Sequence, residues 1–203
     1  MSYPGGNMTA MTNLDPLTRF DRATAATRAV IAAVRPDQPN APSPCTQWTV
    51  REVINHLVSG QEFFAHSIDT GTFDRDLFNR DRDFLGPDPA AAFATSAARL
   101  RTRFAADGLL ERTMPTPFGP RPGVVLVEMR ITEALIHGWD VARATDQSTD
   151  LVPDIIEPTT EGFRRMRSSA PPGGPFGPEQ PAPSDATAAD RLAALAGRHL
   201  ASG

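Results

Sequence analysis

The 203-residue chain contains no lysine; all 20 of its basic residues are arginine. Alongside abundant alanine and proline, that absence points to GC-rich codon usage rather than to a recognition device. There is one cysteine, Cys45, which excludes an internal disulfide and any cysteine-rich zinc site. No apolar run approaches the roughly 20 residues that a membrane span requires. Met1 to Asn13 lacks the basic-then-apolar order of a secretory signal, so a cytoplasmic protein is expected. Met8 and Met11 stand as alternative starts, and residues 1–13 are expected to be a disordered extension. A net charge of −4 argues against a nucleic-acid footprint, which needs a basic face. Arg99, Arg101 and Arg103 read instead as a solvated helix face.

What is present is helical patterning around a 40% hydrophobic content, enough for one core. Asp15-Pro16 gives an N-cap followed by proline at the first helical position, and Leu17, Phe20, Val30 and Ile31 continue at helical spacing until Pro36. Residues 36–47, with four prolines, are expected to be extended. Thr49 and Glu52 form a capping box for a second helix reaching about Ile68. A charged, glycine-containing loop over about 69–87 is long enough to traverse a bundle, so helices two and three are expected to run parallel. Asp88-Pro89 repeats the first start signal, and Gly108 ends the third helix. Residues 113–123 form a loop or short hairpin, followed by the most apolar helix, from Val124 to about Thr145. A short helix over 157–167 places Pro158 in its first turn. Residues 170–184 are a proline- and glycine-rich arm, and a last short helix turns Leu192 and Leu195 inward. The expected organisation is an all-α four-helix bundle over 14–168, with a long crossover between helices two and three. A Pro-rich arm and short C-terminal helix occupy 169–203.

Only four histidines are available, and two lie on amphipathic stretches expected to face the core. Glu133 and His137 stand four residues apart in Thr-Glu-Ala-Leu-Ile-His-Gly-Trp-Asp, which puts them roughly 5–6 Å apart on one helix face. His56 borders the apolar stripe of the second helix. Two imidazoles and a carboxylate on facing helices make a three-ligand metal site with open positions, the arrangement of a reactive rather than a structural ion. An ionised glutamate on an apolar helix needs a compensating charge, and a metal supplies it. The competing reading makes each histidine an ordinary hydrogen-bonded core or surface residue. His66 is turned about 80° around the helix from His56 and is expected to face solvent or reach the rim. His199 falls in an expected frayed tail, and Cys45 reads as a half-buried small residue near the site end. Asp140 either accepts the second ring N–H of a histidine, fixing its tautomer, or pairs with Arg143 on the surface. Trp139 is core or pocket wall.

Trp48-Thr49-Val50-Arg51 leading to Asn55-His56-Leu57, and Glu133 leading to His137-Gly138-Trp139-Asp140-Val141-Ala142-Arg143, resemble two signatures of the metal-binding domain of mycothiol-dependent maleylpyruvate isomerase. That domain belongs to the DinB-like superfamily of four-helix bundles. Asp88-Pro89-Ala90-Ala91, Pro117-Phe118-Gly119 and Asp190-Arg191-Leu192 resemble its short single-domain members, so the likeness runs from about residue 15 over nearly the whole chain. It implies a divalent metal, usually zinc, on His56, Glu133 and His137, and mycothiol as a cosubstrate. The isomerase carries a further C-terminal domain where this chain has a short tail.

Three functional readings follow. In the first, the metal holds a thiol as thiolate and the protein is a thiol S-transferase or thiol-assisted isomerase acting on a small electrophile. Arg143, Arg80 or Arg82 would then bind a substrate carboxylate. In the second the same ion serves a hydrolase, with Asp140 or Glu128 as base. The third is a non-catalytic metal- or ligand-binding bundle. The expected partners are small molecules, with no nucleic acid and no membrane, and the protein is expected to be a monomer or homodimer.

Overall fold

The computed structural model describes residues 14–116, 119–169 and 176–200. The expected N-terminal extension over 1–13 lies outside them, as do Pro117, Phe118 and the first residues of the proline-rich arm.

Local start signals set three of the long helices. The Asp15 carboxylate accepts from the Leu17 and Thr18 amides ahead of α1 (Pro16–Ala32). Thr49 and Glu52 close the capping box of α2 (Val50–Thr70). Asp88 caps α3 (Pro89–Phe104) through the Ala91 amide. The fourth, α4 (Gly123–Ala144), has no side-chain cap. Its first amides are satisfied by the chain before it, Gly123 N–H to Arg112 O at 2.9 Å and Val124 N–H to Leu110 O at 2.8 Å. A Cβ at Gly123 would sit 2.1 Å from the Leu109 carbonyl oxygen, so only glycine fits that crossing.

In the bundle α1 packs on α3 and α4, and α2 packs on α3 and α4. Gln61 meets Ser96, Glu62 meets Arg99 and Asp69 meets Arg103, an order that makes α2 and α3 parallel as expected for the long crossover. Arg19 with Glu128 and Thr27 with Ala134 likewise make α1 and α4 parallel, while the His56–Glu133 and Leu57–Arg130 contacts make α2 and α4 antiparallel. Phe20 and Phe104 pack edge to face at 5.5 Å within a core that includes Leu57, Phe93, Leu100, Ile131 and Trp139. Burial at roughly 25 cal/mol per Å² of apolar surface makes this shared core the main source of cohesion.

Two expectations need correction. Residues 36–47 are not extended: Ser43 N–H bonds Trp48 O, Trp48 N–H bonds Cys45 O, and Pro42 bridges Thr49, so the chain over 36–49 is a folded loop. The helix α5 is Pro153–Ser169, four residues longer at its start than expected: Pro153 suits the first helical position, and Pro158 lies inside the helix rather than in its first turn. Of the loop or short hairpin expected over 113–123, Thr113–Met114 (β1) and Arg121–Pro122 (β2) pair antiparallel as the hairpin. In α6 (Ala188–Leu195) the capping box is Thr187 with Asp190, and Asp190 also accepts from Trp139 Nε1 at 2.8 Å, tying α6 to α4. The crossover is clamped to α2 by Asn55, which donates to Arg82 O and accepts from the Phe84 amide, with a 3-10 turn at Arg75–Phe78.

Candidate metal centre

His56 on α2 faces Glu133 and His137, one turn apart on antiparallel α4. The His56 Nε2 lies 3.1 Å from Glu133 Oε2, and His137 Nε2 lies 3.4 Å from the same oxygen. The three ligand atoms fall within 4.8 Å of one another. His56 and Glu133 keep 25% and 21% of their side-chain surface exposed, whereas His137 keeps 6%, so the triad opens to one side only. Trp48, carried by the folded 36–49 loop, packs against both imidazoles at 4.7 and 5.8 Å.

A buried chain of charge supports His137 from behind. Its Nδ1 lies 2.9 Å from Asp140 Oδ2. An ionised carboxylate only accepts, so this nitrogen carries a proton toward Asp140, and Nε2 is the ring nitrogen turned toward the triad. Asp140 is fully buried and takes a two-pronged contact from Arg198, Nε to Oδ1 at 2.9 Å and Nη2 to Oδ2 at 2.8 Å. The reading of Asp140 as half of a surface pair with Arg143 is therefore overturned: Asp140 is interior and its charge is met by Arg198, while Arg143 is exposed.

The protonation states follow from these contacts. Burial alone would raise the Glu133 carboxyl, but hydrogen bonds from His137 and His56 hold it well below the ordinary glutamate range. Burial pushes His56 down, with Glu133 opposing only in part, so it favours the neutral ligand form. Burial also pulls on His137, yet Asp140 and Glu133 outweigh it and raise the imidazole. In Asp140 burial is overcome by Arg198 and His137, which keep it ionised.

The triad lines a cavity of about 1030 Å³. Arg80, from the crossover, lies over Trp48 at 5.2 Å and borders this cavity; Arg82 instead lies over Phe84, away from the triad. His199 is exposed and lines the cavity, where a frayed end was expected, and Gly197 just before it packs against Gly177. His66 is half-buried and outside the cavity lining. Trp139 is core, not pocket wall.

Two arginines escaped sequence reasoning. Arg198 sits in a short tail with no periodicity to mark it. Arg130 could have been found: it stands three residues before Glu133 on an apolar helix, the spacing of one face. It is 3% exposed, donates from Nη2 to Leu57 O at 3.1 Å, and leaves Nε buried without a partner. A Cβ on Gly60 would meet its guanidinium at 2.6 Å, so the glycine makes room for it.

Cys45 reaches the same neighbourhood, its sulfur within 4.8 Å of His137 and Asp140 ligand atoms. Burial pushes its thiol up to about 11, with Asp140 and Glu133 adding to the shift against Arg198 and Arg80. In metal-free protein at neutral pH, iodoacetamide should therefore alkylate Cys45 at least about a hundredfold more slowly than a free thiol with pKa near 8.5. The rate should climb as pH approaches 11. Alkylation at the free-thiol rate, followed by mass spectrometry, would contradict this placement.

An α-helical bundle with crossed connections and an inward-facing His, Glu, His triad defines a DinB-like bundle with a candidate metal site. The chain belongs to the mycothiol maleylpyruvate isomerase N-terminal domain family, whose model matches residues 20–142. Two uncharacterized proteins of Mycobacterium tuberculosis, one from each of two strains, are each 36% identical over 191 residues, covering 91% of this chain and 98% of the relative. A crystal structure of the mycothiol-dependent maleylpyruvate isomerase is similar with a TM-score of 0.56 at 18% identity, over 71% of this chain. A histidine-to-alanine mutant of that enzyme gives 0.53 at 17%, over the same 71%. Both likenesses show the fold, and the chain spans 66% of that enzyme's length.

Proposed function

We propose that the protein is a divalent-metal-dependent enzyme that joins a low-molecular-weight thiol, mycothiol or a close analogue, to a small electrophile, as a thiol S-transferase or a thiol-assisted isomerase. The observation that carries this reading is the convergence of His56 Nε2, Glu133 Oε2 and His137 Nε2 at the wall of a large cavity. Two imidazoles and one carboxylate suit zinc, and three protein donors leave positions open for an exogenous ligand. A divalent ion held there supplies positive charge that lowers the pKa of a coordinated thiol and keeps it as the nucleophile. The thiol dependence comes from the isomerase that shares this fold and gives the family its name.

The chain's own residues prepare that chemistry. Glu133 is ionised and brings the anionic donor. His56, kept neutral by burial, offers a lone pair without competing charge. Asp140, itself pinned by Arg198, holds the His137 ring so that its Nε2 faces the triad. Trp48 walls both rings and restricts water. Sulfur adds to an electrophilic carbon as a π bond opens. The adduct then takes a proton, completing transfer, or expels the thiol after bond rotation, completing isomerisation. Arg80 at the cavity wall and Arg130 within it are the cations placed to hold an acidic or carbonyl oxygen.

We take residues 14–168 as the metal-binding unit and 169–203 as a Pro-rich arm with a short terminal helix, of which residues 176–178 and 197–199 line its cavity. No helix among the described residues is long and apolar enough to cross a membrane, and we place the enzyme in the cytoplasm with the thiol it uses. The test is thiol consumption with maleylpyruvate and a panel of electrophiles, using zinc-loaded and chelator-stripped protein. The account expects consumption or isomerisation only with both metal and thiol. Turnover undiminished in thiol-free buffer would indicate a hydrolase instead.

A further inference from the structure

One side of the cavity is far more apolar than a site for a small acid requires. The 1.5 Å rise per residue places Phe63 and Phe64 roughly 10–12 Å along α2 from His56, about two turns away. Phe63 stacks in parallel on Phe73 at 5.6 Å and 4°, and meets Phe78 at 4.4 Å. Phe78 in turn lies 6.3 Å from the His56 ring, so the aromatic wall begins at the triad itself. Phe73 and Phe78 are 41% and 38% exposed, two of only four large apolar side chains so exposed among the described residues, and both line this cavity. Met129, a side chain that adapts to different apolar shapes, lines it from α4.

The same arm carries one unmet polar demand. Arg130 lines the cavity with its guanidinium 5.7 Å from the Phe64 ring, and Nη2 alone among its nitrogens has a hydrogen bond within the described residues, to Leu57 O. A buried cation with spare donors favours a ligand that brings an acceptor oxygen.

We propose that the electrophile used by this enzyme carries an aromatic or similarly flat apolar ring, seated on Phe73 and Phe78 with buried Phe63 behind them, and an acceptor oxygen directed at Arg130. This rests on the site reading above for the reaction, but ring binding requires neither metal nor turnover. The exposed ring faces gain burial when the ligand enters, and the direction of the arm leaves the opposite side, around Cys45 and Arg198, for a more polar thiol. Offset stacking of a ligand ring on the phenyl faces adds to that gain.

The test uses two unreactive ketones, 4-phenylbutan-2-one and butan-2-one, titrated calorimetrically into full-length protein. The phenyl ketone should bind saturably at one site while butanone shows no saturation. A variant carrying Phe73→Ala and Phe78→Ala, whose partly exposed side chains are not core, should bind the phenyl ketone at least tenfold more weakly with its melting temperature and metal content retained. Equal behaviour of the two ketones in wild-type protein overturns the proposal, and so does unchanged affinity in the double variant. So does a wild-type dimer that the double variant abolishes, which would assign these rings to contact between copies. Ring binding without metal uptake would remove the enzyme reading and leave this one standing. Metal-dependent thiol turnover without ring binding would do the reverse.

Discussion

Asp140→Ala should destabilise the protein by about 3–5 kcal/mol, the usual cost of breaking a buried ion pair from one side. The substitution leaves Arg198, 7% exposed, without its carboxylate and removes the acceptor of the His137 Nδ1 proton. Asp140→Asn keeps the volume and one acceptor oxygen, and should lose less. Equilibrium urea denaturation measures both. A loss below about 1 kcal/mol for the alanine variant would place the pair among weak surface contacts and contradict its burial. The pH dependence has a defined sign. Burial opposes the charge on Asp140, but Arg198 and His137 hold the carboxyl below its ordinary value. Its contribution is therefore fully present above the unfolded carboxyl pKa of about 4, and is lost as pH falls through the lowered folded value.

Glu133→Gln should weaken divalent-metal affinity well beyond the roughly 10–100-fold that loss of an outer-sphere partner costs. It removes the only anionic donor from the triad, and the amide that replaces it is a weak ligand for zinc. Arg130 adds to the loss, because its buried charge lies near the site and is no longer offset by the glutamate. Competition against a chromogenic chelator reads the affinity directly. An unchanged value would show that the ion, if bound, does not use Glu133.

The parts of this fold that could be read from the sequence are those decided within a few residues. Asp15-Pro16, Asp88-Pro89 and the Thr49–Glu52 box satisfy their own helix amides, so three helix starts needed no tertiary information. α4 has no such cap, its first amides being met by Leu110 and Arg112 carbonyls; its start, expected at Val124 and found at Gly123, was marked instead by the onset of the apolar run. The 36–49 loop misled because proline suggests extension, whereas the bonds between Ser43, Cys45 and Trp48 fold it against the triad. The Glu133–His137 spacing announces itself on one helix, and His56 joins it because both stripes face the same interior. Arg198 is 58 residues from Asp140, and nothing local marks that distance as a contact. The aromatic arm was hidden for a related reason: Phe73 and Phe78 lie in a charged crossover that reads as solvent loop, and their seat is the Phe63 ring on α2, a tertiary contact.

The central claim is that His56, Glu133 and His137 together hold one divalent ion. Elemental mass spectrometry of untagged protein, wild type beside His56→Ala and His137→Ala, tests it most directly. The account predicts about one equivalent of zinc or another divalent ion per chain in wild type and a small fraction of that in either variant, with all three proteins folded. Metal-free wild type after reloading and desalting, or a full equivalent retained in both variants, would contradict it.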